Sequence, residues 1–315
     1  MFSMADATVY VVGAGGQLGR ALLASSAAPP SVVALTSAQI DITDASSVIA
    51  ALSDLGEGDV VLNCAAYTNV DGAETDRDAA YAVNAAGVGH LAAATVAAGA
   101  WLIHVSTDYV FPGSASDDSG APRTAGYEPD EVSDTVEPAT VYGASKLVGE
   151  RLALSTDPRS TVVRTAWVYT GGPDDRDFVG TMRRLESSRD TISVVDDQTG
   201  SPTYARDLAD GLWDLVGHGP DDAVTGQVLH ATNAGAATWF DVAQAVFAEV
   251  GAEPTRVHPC TTDEFPRPAP RPAYSVLSGA AWERAGLTPL RDWQAALRAA
   301  IKQDAVTVAG VDGQS

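Results

Sequence analysis

The sequence predicts an α/β fold: a Rossmann-like, doubly wound parallel sheet with a smaller C-terminal substrate-binding lobe. Two observations predict it. Short β-branched apolar runs alternate with longer alanine-rich stretches through the first half of the chain, the pattern of parallel strands covered by helices on both faces. A glycine cluster also sits between the first apolar run and the first alanine-rich stretch, where a strand would turn into a helix.

Taken in order, strands are expected at 8–12, 32–35, 60–63, 102–106 and 161–168, with helices at 17–27, 45–55, 74–98 and 142–154. The alternation weakens after about Tyr169. Shorter strands at 192–195, 228–232 and 256–259 then mix with helices at 204–216, 239–250 and 293–303, which suggests the second lobe packed over the sheet. The Pro/Arg-rich stretch 265–272 reads as a loop. Residues 113–137 carry seven acidic residues against the single basic Arg123 and read as a long surface loop, either a lid or a solvated insertion.

With 315 residues and 45% hydrophobic content the chain can bury a sizeable core. A formal charge of −22 repels phosphate backbones and anionic membranes, so neither nucleic acid nor a membrane is an expected partner. No basic leader and no apolar run near ~20 residues is seen, and a cytoplasmic protein is expected. The two cysteines form no CxxC pair, and Cys64 reads as a small core residue. The five histidines lack HxH or HExxH spacing, so no metal site is expected. Lysine occurs only at Lys146 and Lys302, an acid-rich, lysine-poor balance that resembles proteins of salt-loving organisms. Codon usage in a GC-rich genome is the plainer explanation.

The glycine cluster has the spacing Gly13-x-x-Gly16-x-x-Gly19. Gly13, Gly15, Gly16, Gln17, Leu18 and Gly19 are the expected cradle of a dinucleotide pyrophosphate at the positive end of the following helix. Thr36 and Ser37 stand at the end of the second strand, where an acid would favour NADH and a basic residue NADPH. Their hydroxyls suit either cofactor, with a lean to NADPH since no carboxylate repels a 2′-phosphate; Asp41 and Ile42 follow on the adenine side.

Tyr142 and Lys146 lie four residues apart and so share a helix face. A phenol with a pKa near ~10 is a poor acid–base group until a cation stabilises its phenolate, and Lys146 is expected to supply that cation. The pair follows the strand end His104-Val105-Ser106-Thr107-Asp108, the order a hydride-transfer site needs.

At these positions the chain resembles the dTDP-4-dehydrorhamnose reductases of the extended short-chain dehydrogenase/reductase group. The resemblance rests on Ser106-Thr107-Asp108-Tyr109-Val110-Phe111, Val141-Tyr142-Gly143-x-x-Lys146, Arg164-Thr165-x-Trp167-Val168-Tyr169, Asp197-Gln198-x-Gly200-x-Pro202-Thr203 and Arg271-Pro272-x-x-Ser275-x-Leu277. Asn63-Cys64-Ala65-Ala66-Tyr67-Thr68 and Asn84-x-x-Gly87 extend it. It implies NAD(P)H-dependent reduction of the 4-keto group of a nucleotide-linked deoxysugar, dTDP-4-dehydro-L-rhamnose above all. Residues 1–170 would then be mainly the NAD(P)-binding domain, 171–304 mainly the substrate-binding lobe with interleaved segments, and 305–315 a flexible tail.

The resemblance further implies that Tyr142 donates the proton, Thr107 hydrogen-bonds the same oxygen, and Lys146 lowers the Tyr142 pKa and binds ribose hydroxyls. Ala65, Ala66 and Thr68 would lie along the cofactor, Tyr109 and Trp167 would flank the sugar, and Arg271 would meet the diphosphate. Some members place a glutamate, used with a metal at a dimer contact, where this chain has Ala21; oligomeric state is left open. Two other functions fit the fold: a nucleotide-sugar epimerase or dehydratase, and a non-catalytic NADP-binding subunit like the regulatory subunit of methionine adenosyltransferase. Dehydratases often carry Asp-Glu after the threonine, whereas this chain has Asp108-Tyr109.

Overall fold

The structure, a computed structural model, describes residues 7–117, 119–132 and 138–311, with side chains as far as Gln303. Its first half runs β1 (Val9–Val12), α1 (Gln17–Ala24), β2 (Val32–Leu35), α2 (Ala45–Ala51), β3 (Val60–Asn63), α3 (Val70–Ala73), α4 (Arg77–Tyr81), α5 (Gly87–Ala98), β4 (Trp101–Thr107), α6 (Val141–Thr156) and β5 (Thr161–Thr165). Then come β6 (Val168–Tyr169), α7 (Phe178–Ser188), β7 (Ile192–Val195), β8 (Thr199–Gly200), β9 (Thr203–Tyr204) and α8 (Ala205–His218). The chain ends with β10 (Val228–His230), β11 (Ala237–Thr238), α9 (Trp239–Glu249), β12 (Val257–Cys260), α10 (Ala280–Arg284) and α11 (Trp293–Val311).

Six parallel strands form the central sheet in the order β10-β5-β4-β3-β1-β2. Successive side chains of a strand point to opposite faces, and the inner strands are buried on both, while Val33 of the edge strand β2 is exposed. Val9, Val11, Val60, Leu62 and Ile103 pack with Leu18 and Leu22 of α1 and Leu208, Leu212 and Leu215 of α8. Tyr10, Val12, Val61 and Leu102 face the other way, against Val48, Val88, Leu91 and Ala153. Continuous apolar runs in the sequence are thus strands buried on both sides. A separate core joins Val179, Met182, Ile192, Val194, Val246, Phe247, Val257 and Leu297, with the two-stranded β7–β12 ladder beside it.

Four expectations need correction. The strand expected at 228–232 in the second lobe is β10, the edge strand of the central sheet, in register with β5. Helix α8 belongs with it, because its apolar face packs on α1 and the sheet. The single helix expected at 74–98 is broken into α4, a π turn at Ala82–Ala86 and α5. The strand expected at 161–168 stops at Thr165 and resumes as β6, because Trp167 takes a φ of 49°, outside strand geometry.

The acidic stretch 113–137 is anchored rather than free: Tyr127 is buried, stacks on Phe111 at 4.3 Å, and exchanges backbone hydrogen bonds with Val276 and Ser278. Residues 118 and 133–137 of that expected loop lie outside the described residues. Helix α11 runs on to Val311, through the first part of the expected tail; 312–315 lie outside the described residues. No described helix is long and apolar enough to cross a membrane.

Candidate active site

Strand order reverses direction at β1, whose neighbours β2 and β3 lie on either side, so a crevice opens at the C-terminal ends of β1 and β3. The turns leaving those strands press together there. A Cβ on Gly13, which also has a φ of +82°, would sit 2.6 Å from the Ala65 backbone nitrogen. A Cβ on Gly19 would sit 2.4 Å from the Gly13 carbonyl, so α1 can start hard against the strand end only because residue 19 is glycine. Gly16 caps α1 without a side-chain hydrogen bond, which leaves the first helical N–H groups directed at the cleft. The cradle therefore fits a pyrophosphate.

The cleft encloses about 1020 Å³ and is walled by every cofactor-binding and catalytic residue expected from the sequence. Gly13, Gly15, Gly16, Gln17, Leu18 and Gly19 form one end, with Thr36, Ser37, Asp41 and Ile42 beside them and Ala65, Ala66 and Thr68 across the crevice. Thr107, Tyr109, Tyr142, Lys146 and Trp167 form the other. Thr36 donates its hydroxyl to Gln39 Oε1 at 2.9 Å, and Thr43 donates N–H and O–H to Asp41, holding that carboxylate below its usual range.

Thr140 caps the catalytic helix α6 by accepting from Gly143 N–H, and Glu74 accepts from Val141 N–H at 3.0 Å. The π turn supplies a second brace. Asn84 Oδ1 accepts from Tyr67 N–H, and Asn84 Nδ2 donates to Ser145 Oγ at 3.0 Å, tying the turn that bears Thr68 to the helix between Tyr142 and Lys146. α6 approaches this closely at Gly149, where a Cβ would lie 2.0 Å from the Asn84 carbonyl.

Burial pushes the Tyr142 phenol up to about 12; hydrogen bonding with Thr107 opposes the rise and the Asp108 carboxylate adds to it. Burial also drives Asp108 up to about 6, against the pull of the Ser275 and Thr107 hydroxyls. Thr107 donates to Asp108 Oδ1 at 3.0 Å, whereas the buried Oδ2 makes no hydrogen bond of ordinary geometry. Lys146 is pulled down to about 8 by burial, which Glu150 and Cys64 oppose. Its Nζ donates to the Val105 carbonyl at 2.7 Å and lies 3.3 Å from His104 Nε2. Lys146 is not among the groups that set the Tyr142 pKa in this arrangement, where its Nζ turns to the Val105 carbonyl of β4.

The family model for the RmlD substrate binding domain matches residues 7–306. The chain belongs to this family. It is 52% identical over 294 residues to a dTDP-4-dehydrorhamnose reductase of Mycobacterium tuberculosis, covering 93% of this chain and 92% of that one. It is 42% identical to a dTDP-4-keto-6-deoxy-D-glucose reductase of Streptomyces niveus, covering 91% and 94%. Among solved structures it resembles the dTDP-4-dehydrorhamnose reductase of Bacillus anthracis in complex with NADP, with a TM-score of 0.82, 33% identity, and coverage of 94% and 99%.

Within this RmlD-family chain one expected substrate residue sits apart. Arg271 is not a cleft wall; its guanidinium makes two hydrogen bonds of 2.9 Å to the Asp71 carboxylate on α3, which also accepts from Ala269 N–H. The 265–272 loop is thereby strapped to the segment bearing Thr68. Residues missed by the sequence reading also line the cleft. Trp239 stacks on Trp167 with ring centres 3.5 Å apart and planes 6° apart, and Ser106, Asp108 and Thr165 supply buried polar atoms. Trp239 opens α9, about seventy residues after Trp167, and only packing reveals it. Cys64, expected in the core, also faces the cleft; burial lifts its thiol to about 12, so it is no nucleophile.

Proposed function

We propose that this chain reduces the 4-keto group of dTDP-4-dehydro-L-rhamnose to give dTDP-L-rhamnose, using NADPH or NADH. The observation that carries the proposal is one continuous cleft holding a pyrophosphate cradle at one end and Thr107, Tyr142 and Lys146 at the other. When bound, the reduced nicotinamide supplies a hydride to the keto carbon. Tyr142 is held protonated by its burial, the state needed to give a proton to the oxygen as it gains negative charge. Thr107 has a hydroxyl beside Tyr142 and can hydrogen-bond the same oxygen, stabilising the charge that develops there. Tyr109 and the Trp167–Trp239 stack line the same cleft, and in this reading they flank the sugar.

Incubating the protein with NADPH or NADH and the dTDP-linked 4-keto sugar while following nicotinamide absorbance tests the reading. Stoichiometric consumption supports it. Turnover of the sugar with no net consumption would mark an epimerase or dehydratase, and cofactor binding without turnover a regulatory subunit. We read the −22 surface as suited to concentrated salt in the cytoplasm, where ions screen self-repulsion. The thermal midpoint should then climb steadily from low to molar KCl, and a flat response removes the salt adaptation.

A further inference from the structure

We propose that Asn63 and His104 weaken the hold of Lys146 on its proton in the cofactor-free chain by favouring the neutral amine, and that Lys146 regains that hold on leaving His104 for the cofactor ribose. The second half rests on the cofactor reading above; the first half does not.

The argument is a chain of donors and acceptors whose directions are forced. A backbone N–H can only donate, and Ala65 N–H points at Asn63 Oδ1 at 3.0 Å. The amide nitrogen of Asn63 is therefore the atom facing His104 Nδ1, at 3.1 Å. An amide NH₂ also only donates, so Nδ1 must present its lone pair. A neutral imidazole then carries its single proton on Nε2, the atom 3.3 Å from Lys146 Nζ. Protonated His104 would set N–H against N–H at Asn63, and burial together with Lys146 holds His104 well below its usual range.

An ammonium at Lys146 has no lone pair and would oppose the Nε2–H with hydrogens of its own. A neutral amine accepts that proton donor and keeps a hydrogen for the Val105 carbonyl at 2.7 Å. Asn63 and His104 are fully buried and Lys146 nearly so, so no mismatch here is relieved by bulk water. Two groups favour the ammonium. Glu150 lies one turn further along α6 but is committed to Arg164 through bonds of 3.0 and 2.8 Å, and the Cys64 thiol stays protonated. Burial outweighs both and brings Lys146 down to about 8. Above that pH the amine is thus largely neutral until a cofactor recruits it.

The composition provides the test, because Lys146 and Lys302 are the only lysines. Full-length protein labelled with ¹³C at lysine Cε gives two signals to follow with pH, the exposed Lys302 serving as the reference. We expect the Lys146 signal to titrate no higher than about 8 and ¹⁵N spectra to place the His104 proton on Nε2. Asn63→Asp replaces a donor by an acceptor, so the His104 proton should move to Nδ1 and Lys146 should bind its proton at least ~10-fold more tightly. His104→Phe removes the Nε2–H donor and should shift Lys146 in the same direction, which covers the case of a misfolded Asn63→Asp protein. A Lys146 signal that titrates with Lys302, or one unmoved in either folded variant, overturns the neutral amine.

Calorimetry of NADPH binding at pH 8.5 in buffers of different ionisation heat should show proton uptake, with affinity level below the Lys146 midpoint and weakening above it. Binding without uptake overturns the recharging step. Failure of NADPH to bind at all would overturn the cofactor reading and leave the titration result standing.

Discussion

The two ends of the cleft are built differently. At the glycine end the walls are the turns leaving β1, β2 and β3, three neighbouring strands, and what shapes them is backbone: where Gly13 meets Ala65 there is no room for a Cβ. At the sugar end the walls are side chains gathered from Thr107 and Tyr109, from Tyr142 and Lys146, and from Trp167 and Trp239. A backbone cradle is specified by a short run of residues. A side-chain wall is specified by packing between segments far apart in sequence, and it holds the titrating groups whose behaviour burial controls.

The largest expected effect lies at the sugar end. Tyr142→Phe keeps the ring and its burial but removes the proton, so turnover should fall by roughly 10²-fold or more while the cofactor dissociation constant stays within about 2-fold. Stopped-flow and steady-state reduction of the dTDP-linked ketosugar measure both. Near-normal turnover would remove Tyr142 as the donor.

Asp108 tests how burial controls this wall. Its folded pKa of about 6 lies above that of an exposed carboxylate, so the stability it contributes is present below pH ~4 and is lost as pH rises through 6. Asp108→Asn should therefore be more stable than the parent at pH 8 by roughly 2–3 kcal/mol, and about equal to it near pH 4. Urea unfolding at the two pH values decides it, and a gap that does not change with pH would mean that Asp108 is not a strained carboxylate.

The glycine end should break by sterics alone. Gly13→Ala forces a side chain into 2.6 Å contact at a positive φ, and a cost of about 1–3 kcal/mol together with lost cofactor binding is expected. Gly15→Ala meets nothing nearer than Thr36 Cγ2 at 3.8 Å, so its fold should be unchanged. Equal stability of the two variants in thermal melts would refute the backbone account.

The same division governs what could be read in the sequence. Five of the six central strands and the Tyr142–Lys146 pair follow from periodicity, since each lies within one stretch of chain. The strand at 228–232 is legible too, but not its place as β10, because three residues at a sheet edge look like any short apolar run and only pairing with β5 puts them in the central sheet. The π turn was hidden in a uniformly alanine-rich helix; its signal was Asn84, a polar side chain whose amide binds Tyr67 and Ser145 at once. Arg271 was expected at a diphosphate on the strength of the family resemblance, and the carboxylate its guanidinium holds here, Asp71, is two hundred residues away. The charge of Lys146 depends on which way an asparagine and a histidine face, information carried by no single residue type.

Trp239 is the member of the sugar wall that only the folded structure shows, and its expected effect is the smallest. Trp167 is held at a φ of 49°, a conformation a bulky residue adopts only when its surroundings impose it, and those surroundings are Gly200 on one side and the parallel face of Trp239 at 3.5 Å. Phe178 backs Trp239 at 4.5 Å, so the indole is fixed by the second core while its edge meets the cleft. Trp239→Leu keeps an apolar residue against Phe178 but removes the stack, and a stack of this kind contributes about 0.5–1.5 kcal/mol beyond its buried area. Trp167 should then sample other conformations, raising the KM for the sugar nucleotide by about 3- to 10-fold. The cofactor dissociation constant should not change, because the glycine end does not depend on α9. Trp239→Phe should recover most of the loss, since a smaller ring still offers a flat face. If Trp239→Leu weakened cofactor and sugar binding alike, the two ends of the cleft would be mechanically one unit, and the contrast between a backbone cradle and a side-chain wall would not hold.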